Sequence, residues 1–108
     1  MSSHQDFVVY VIESIQGIGK LRYKKMFGEY MIYIDEKPAL LVCDDTVFIK
    51  KIDELKEVFQ SCELGYPYEG AKEHYMLDID DKETSKKLII RVLPYLKNPK
   101  RKPRESVK

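Results

Sequence analysis

The sequence is short of almost everything that marks a specialised chain. It has no tryptophan, two cysteines, two histidines, five glycines and five prolines in 108 residues. So little glycine and proline excludes collagen-like and low-complexity chains. A hydrophobic content of 44% is too high for a wholly disordered one. The longest uninterrupted apolar run, Phe7 to Ile12, is six residues, far below the ~20 that a membrane-spanning helix needs. No basic stretch precedes it, so it does not read as an export signal. Cys43 and Cys62 stand apart rather than as a CxxC pair. Without an export signal they are expected as reduced thiols, and the protein as cytoplasmic. Excess charge is missing too: 19 basic residues face 18 acidic ones, for a net +1.

That small sum hides an uneven distribution. Residues 97–108 hold six basic residues and one acid, hence +5, and the first 96 hold thirteen basic and seventeen acidic residues, hence −4. A length of 108 residues corresponds to one domain. We read it as a domain over residues 1–97 followed by a basic arm over 98–108. The arm carries Lys100, Arg101, Lys102 and Arg104 between and after Pro99 and Pro103, and its composition is that of a disordered terminus.

Within the domain the apolar period changes several times. Phe7, Val8, Val11, Ile12 and Ile15 follow a helical spacing over residues 3–16, with Ser3 as cap and Gly17 and Gly19 at the end. Residues 20–27 alternate basic and apolar side chains, as a half-exposed strand does. Gly28-Glu29, Asp35-Glu36-Lys37 and Asp44-Asp45 then punctuate three apolar runs, Tyr30–Ile34, Ala39–Cys43 and Thr46–Lys50, which predicts an antiparallel meander. The run Tyr30–Ile34 is almost wholly apolar, so both of its faces are expected to be at least partly covered. Ile52, Leu55, Phe59 and Cys62 form one helical stripe over 52–63. A tyrosine-rich loop, Gly65 to Gly70, leads to a strand over 73–79 with Tyr75, Leu77 and Ile79 on one face. A last helix is expected over 81–97, opened by Asp80 or Asp81, with Pro94 bending it or distorting its final turn. The order is α-β-β-β-β-α-β-α: an α+β domain with a four- to five-stranded antiparallel sheet covered on one face by helices.

The residues offer little for catalysis. A nucleophile needs a base in hydrogen-bond reach and a group that orients the base. Cys43 with His74 is the one pairing available, and both thiols sit in apolar patterns that suit packing. Cysteine and histidine are scattered from position 4 to 74 with none of the short spacings of a zinc site. Asp44-Asp45 and Asp80-Asp81 suit turns and helix caps, and no phosphate-cradling glycine loop is present. No catalytic set, metal site or cofactor is therefore expected. Basic groups with interleaved tyrosines are the better chemical signal. Lys20, Arg22, Lys24 and Lys25 cluster on the first strand, and such groups contact phosphates while exposed aromatics stack on bases.

The stretch Arg22-x-x-Lys25-Met26-Phe27-Gly28-x-Tyr30-x-x-Tyr33 resembles the opening motif of the TfoX/Sxy N-terminal domain family, whose usual pattern is R-x-K-M-F-G-G-Y-G-L-Y. Glu29 and Met31 stand here where that pattern has glycines. The likeness continues through the turn Asp35-Glu36-Lys37, the strand ending in Asp44-Asp45, the strand ending at Lys50, Phe59 and the Tyr66-Pro67-Tyr68 loop, covering roughly residues 3–97. The resemblance implies an α+β fold with an antiparallel sheet. It also implies kinship with regulators of DNA-uptake competence that work with the cyclic-AMP receptor protein at promoters. The expected function is thus that of a non-enzymatic interaction module, a TfoX-like regulator of competence or transcription acting through protein contacts. The expected partners are a protein such as a transcription regulator, or a second copy of the chain, and no membrane. The alternative is direct nucleic-acid binding through Lys20, Arg22, Lys24 and Lys25 with Lys100, Arg101, Lys102 and Arg104 of the arm, weak and salt-sensitive.

Overall fold

The computed structural model describes residues 5–26 and 29–96. Ser3, His4, Phe27, Gly28 and the whole basic arm lie outside the described residues. The chain runs through helix α1 (Gln5–Ser14), strands β1 (Leu21–Met26), β2 (Glu29–Ile34), β3 (Lys37–Cys43) and β4 (Thr46–Lys50), a 3-10 turn (Asp53–Leu55), strands β5 (Glu63–Gly65) and β6 (His74–Leu77), helix α2 (Lys82–Val92) and a second 3-10 turn (Leu93–Tyr95). The strands form one sheet in the order β1-β2-β3-β4-β6-β5, with every neighbour antiparallel.

The meander forms because its turns are tight. Asp35 and Glu36, and again Asp44 and Asp45, all have positive φ, between 52° and 70°. Two residues with that conformation make a type I′ turn, whose twist matches that of the strands it joins. Glycine would fill the second position at lower cost, and here Glu36 and Asp45 occupy it. A register shift between Ile32 and Tyr33 gives β3 one extra residue, near Pro38 and Ala39, as a bulge does.

Both helices pack on the same side of the sheet. Val8, Val11 and Ile15 of the α1 segment and Ile89 and Val92 of α2 join Tyr30, Ile32, Ile34, Leu40, Val42, Val47, Ile49, Tyr75 and Leu77 in one buried core. The α1 stripe has the 3-4 spacing of a helix face, and the strand members alternate, so each element buries one side. The Asp81 side chain caps α2 by accepting from the Thr84 amide, and Ser85, buried, donates to the carbonyl of Asp78. Tyr10 donates to Asp80, which ties α1 to the start of α2. Pro94 replaces the final α-turn by a 3-10 turn, as a residue lacking an amide hydrogen and crowding the preceding turn must. Lys37 reaches the Leu93 carbonyl at 3.3 Å and holds that turn against the start of β3.

The middle of the chain departs from the expected order. No regular helix spans 52–63. The 3-10 turn Asp53–Leu55 is followed by turns held mostly by i→i−3 bonds, such as Cys62 to Phe59 at 2.9 Å. The apolar stripe is nevertheless used: Leu55 and Phe59 are buried, and the Phe59 ring stacks on Tyr75 with centroids 4.8 Å apart. Residues 63–65 pair with β6, Glu63 opposite Met76 and Gly65 opposite His74. That pairing draws the chain out of helical geometry and adds a sixth strand to the sheet.

Candidate functional site

The side of the sheet away from the helices is the open one. Residues opposite one another in adjacent strands share a face, so the register can be followed across the sheet. Lys24 lies opposite Met31, Met31 opposite Leu41, Leu41 opposite Phe48, Phe48 opposite Met76, and Met76 opposite Glu63. These six residues form one row across all six strands. Four apolar side chains fill its centre, with a lysine at one end and a glutamate at the other.

No described helix or strand lies across this row. Met31, Leu41 and Met76 are each half-buried, and Phe48 between them is 6% exposed. The neighbours of Phe48 on the sheet close over it. His74 meets its ring edge-on at 6.4 Å. Gly65 makes room for it, since a Cβ there would come within 2.9 Å of Met76 Sδ and 3.2 Å of Phe48 Cε1. A shallow groove of about 420 Å³ runs along the face, with Met31, Pro38, Leu41, Phe48, His74 and Tyr95 among its walls. Tyr95 is 44% exposed and stands at its rim. Half-exposed methionines around a large aromatic make a deformable apolar surface, the kind that accommodates protein partners.

The residues singled out in the sequence divide between the two sides. Tyr30 belongs to the core, 6% exposed and edge-on to Tyr23 at 5.8 Å. Tyr33 is on the open side, beneath Arg22, whose guanidinium lies 4.0 Å above the ring. The same guanidinium pairs with Glu36 across the turn, Nη2 to Oε1 at 2.9 Å, and Glu36 raises its pKa. Arg22, the centre of the basic strand, is therefore already matched by a carboxylate. Lys24 is exposed on the open side, and Lys25 is exposed on the strand's other side, opposite Tyr30. Lys20 precedes β1, and its amide donates to Asp35. Met26 ends β1 opposite Glu29. Phe27, Gly28, Lys100, Arg101, Lys102 and Arg104 lie outside the described residues.

The Cys43–His74 pairing is not formed. Cys43 lies opposite Thr46 at one end of β4, and His74 lies opposite Lys50 at the other. Those positions are four residue steps apart along the strand, about 13 Å at ~3.3 Å per step. Burial, reinforced by the adjacent Glu29 carboxylate, pushes the Cys43 thiol up to about 12, away from the thiolate that nucleophilic chemistry needs. Burial also raises Cys62. His74 Nδ1 sits 2.7 Å from the Lys72 carbonyl. No group of three or more possible metal ligands occurs among the described residues, and no helix there is long and apolar enough to cross a membrane.

Sequence patterns alone did not reveal the row. Strands β2, β3 and β4 are apolar on both sides, and β6 reads as polar on its His74–Met76 side. Only the register brings Met31, Leu41, Phe48 and Met76 together.

The chain is 33% identical over 78 residues to an uncharacterized 12.7 kDa protein in the trpE 5′ region of Spirochaeta aurantia, an alignment spanning 72% of this chain and 68% of that one. The sequence model described as the TfoX N-terminal domain matches residues 13–92. That span runs from the end of α1 to the last residue of α2 and takes in every strand and the open face they build, so this chain belongs to the TfoX N-terminal domain family.

Proposed function

We propose that the protein is a non-enzymatic interaction module, a regulator of competence or transcription that acts through protein contacts made by the open sheet face. One observation carries this reading: Met31, Leu41, Phe48 and Met76 lie in a continuous apolar row that no described element covers. Apolar surface left in water is unfavourable by about 25 cal/mol per Å², so the part of this row that Met31, Leu41 and Met76 leave half-exposed gains by being covered. Membership of the TfoX N-terminal domain family supports a regulatory role.

The test is genetic, in the native host. Deleting the chain should alter transcript levels or DNA uptake, wild-type protein should restore them, and Met31→Lys with Met76→Lys should not. A deletion strain indistinguishable from its parent on both readouts would sink the proposal, as would full complementation by the face variant.

Nucleic-acid binding is the second reading. Lys20 and Lys24 are exposed beside Arg22, which favours it. The pairing of Arg22 with Glu36 and the −4 charge of the first 96 residues weigh against it. A gel shift with random DNA or RNA at low salt, abolished when residues 98–108 are removed, would favour this reading over the first.

A further inference from the structure

We infer that the occupant of the open sheet face is a second copy of this chain, packed face to face about a two-fold axis that runs parallel to the strands between β3 and β4. This rests on the reading of that face as a protein-contact surface and names its partner. The inference comes from the composition and order of the row. Read across the sheet it is Lys24, Met31, Leu41, Phe48, Met76, Glu63. A two-fold axis along the strands reverses the row in the partner. Leu41 then faces Phe48 of the partner subunit, Met31 faces the partner's Met76, and Lys24 faces the partner's Glu63. Both charged ends are satisfied at once, as an isologous contact requires. The other face-to-face two-fold, with its axis along the row, sets lysine on lysine and glutamate on glutamate, which is repulsive.

Other features agree. Among the described residues, neither Lys24 nor Glu63 has an ion-pair partner within the protomer. Two sheets pack about 10 Å apart, a gap that a lysine and a glutamate reaching from opposite sides can close. A right-handed twist is preserved by this axis, so the two sheets stay stacked from edge to edge. Methionines at two of the four central positions let the surfaces adjust to each other. The size of the face sets the strength. Six strands at ~4.8 Å and about five residues at ~3.3 Å give roughly 480 Å² per copy before the rim. A standard interface buries about 800 Å² per partner, so this dimer is at the small, weak end and concentration-dependent.

Sedimentation equilibrium of the full chain from about 1 μM to 1 mM tests it, with circular dichroism to establish that each variant is folded. The wild type should move from monomer to dimer over that range. Lys24→Glu and Glu63→Lys should each weaken association about tenfold or more, and the double variant, which restores opposite charges across the axis, should recover most of the loss. Met31→Lys should abolish association while leaving the fold intact. A wild type that stays monomeric to 1 mM overturns the inference. So does association that the charge reversals leave unchanged, or that the double variant does not restore. The two proposals fail differently. A monomeric protein whose face variants still lose regulation in the host keeps the protein-contact reading and loses the dimer. A dimer with the predicted charge behaviour, in a host indifferent to deletion, keeps the dimer and loses the regulatory reading.

Discussion

The two faces of the sheet are made by the same strands and built on different principles. The helix-covered face is lined by aliphatic and aromatic residues, among them Ile32, Ile34, Val42, Val47 and Ile49, each at most 1% exposed. Their branched side chains hold one rotamer and pack tightly between sheet and helices. The row across the open face carries two methionines and a leucine, each half-buried, around a buried phenylalanine, and it is bounded by charge. The first face specifies a single packing. The second tolerates adjustment, which suits a surface that meets a partner. The same strands are thus apolar on both sides, and only one of those sides is packed against helices.

Substitutions that strike one face at a time sharpen this contrast. The largest effect belongs to the covered face. Phe59→Ala removes a fully buried ring stacked on Tyr75 and should destabilise the fold by about 3–5 kcal/mol. Met31→Ala on the open face should cost under about 1 kcal/mol. Urea denaturation of both variants measures the gap, and equal losses would erase the distinction.

Glycine substitutions repeat the comparison on a smaller scale. Gly19 has φ +154°, and a Cβ there would meet Ile34 Cγ2 at 2.8 Å. Ile34 is locked in the core, so Gly19→Ala should destabilise by about 1–3 kcal/mol. Gly65 is on the open face and its nearest obstacle is the thioether of Met76, a flexible end that can move. Gly65→Ala should therefore cost less than Gly19→Ala, under about 1 kcal/mol. Thermal melts of the two variants decide the order.

A gain is expected at the β3–β4 turn. Asp45 holds φ 55°, where glycine fits with less strain. Asp45→Gly should stabilise by about 0.5–1 kcal/mol, read as a higher Tm. A lower Tm would mean that the side chain contributes more than the backbone loses.

The last expected effect is chemical, silent at neutral pH, and distinguishes the two thiols. Cys43 is 3% exposed and its pKa is pushed up to about 12, whereas Cys62 is half-buried. An alkylating reagent at pH 8 should label Cys62 first and Cys43 only through opening of the fold. The raised Cys43 value also sets a pH dependence. The thiol ionises near 9.0 when unexceptional and near 12 in the folded chain. Its contribution is thus fully present below about pH 9 and is lost as pH rises from there toward 12. A Cys43→Ala variant should show a flatter loss of stability across that alkaline window.

Much of this architecture was legible in the sequence. The two charged turns are where Asp35-Glu36 and Asp44-Asp45 put them, because no other tight connection suits three apolar runs so closely spaced. The stripe of Leu55 and Phe59 is buried as its spacing implied, although the segment is not a helix. Spacing reports which side chains point inward. It does not report whether residues 63–65 will find a strand to pair with, and that long-range bond to β6 decided the local conformation. Pro94 was legible as a disturbance, and the 3-10 turn is the form it took.

The sequence by itself determined the family, an antiparallel α+β domain, the meander and the separation of a mildly acidic body from a basic terminal segment. Only the tertiary structure decided which face of the sheet stays open, because β2, β3 and β4 are apolar on both sides and period-two alternation cannot say which side the helices will take. Each helix has one apolar stripe, and both stripes are committed to the same side. Tertiary structure also brought Glu36 to Arg22 across a turn, which neutralised the residue that looked most available for phosphate. And it assembled the open row from positions between 24 and 76, which only the strand register places together.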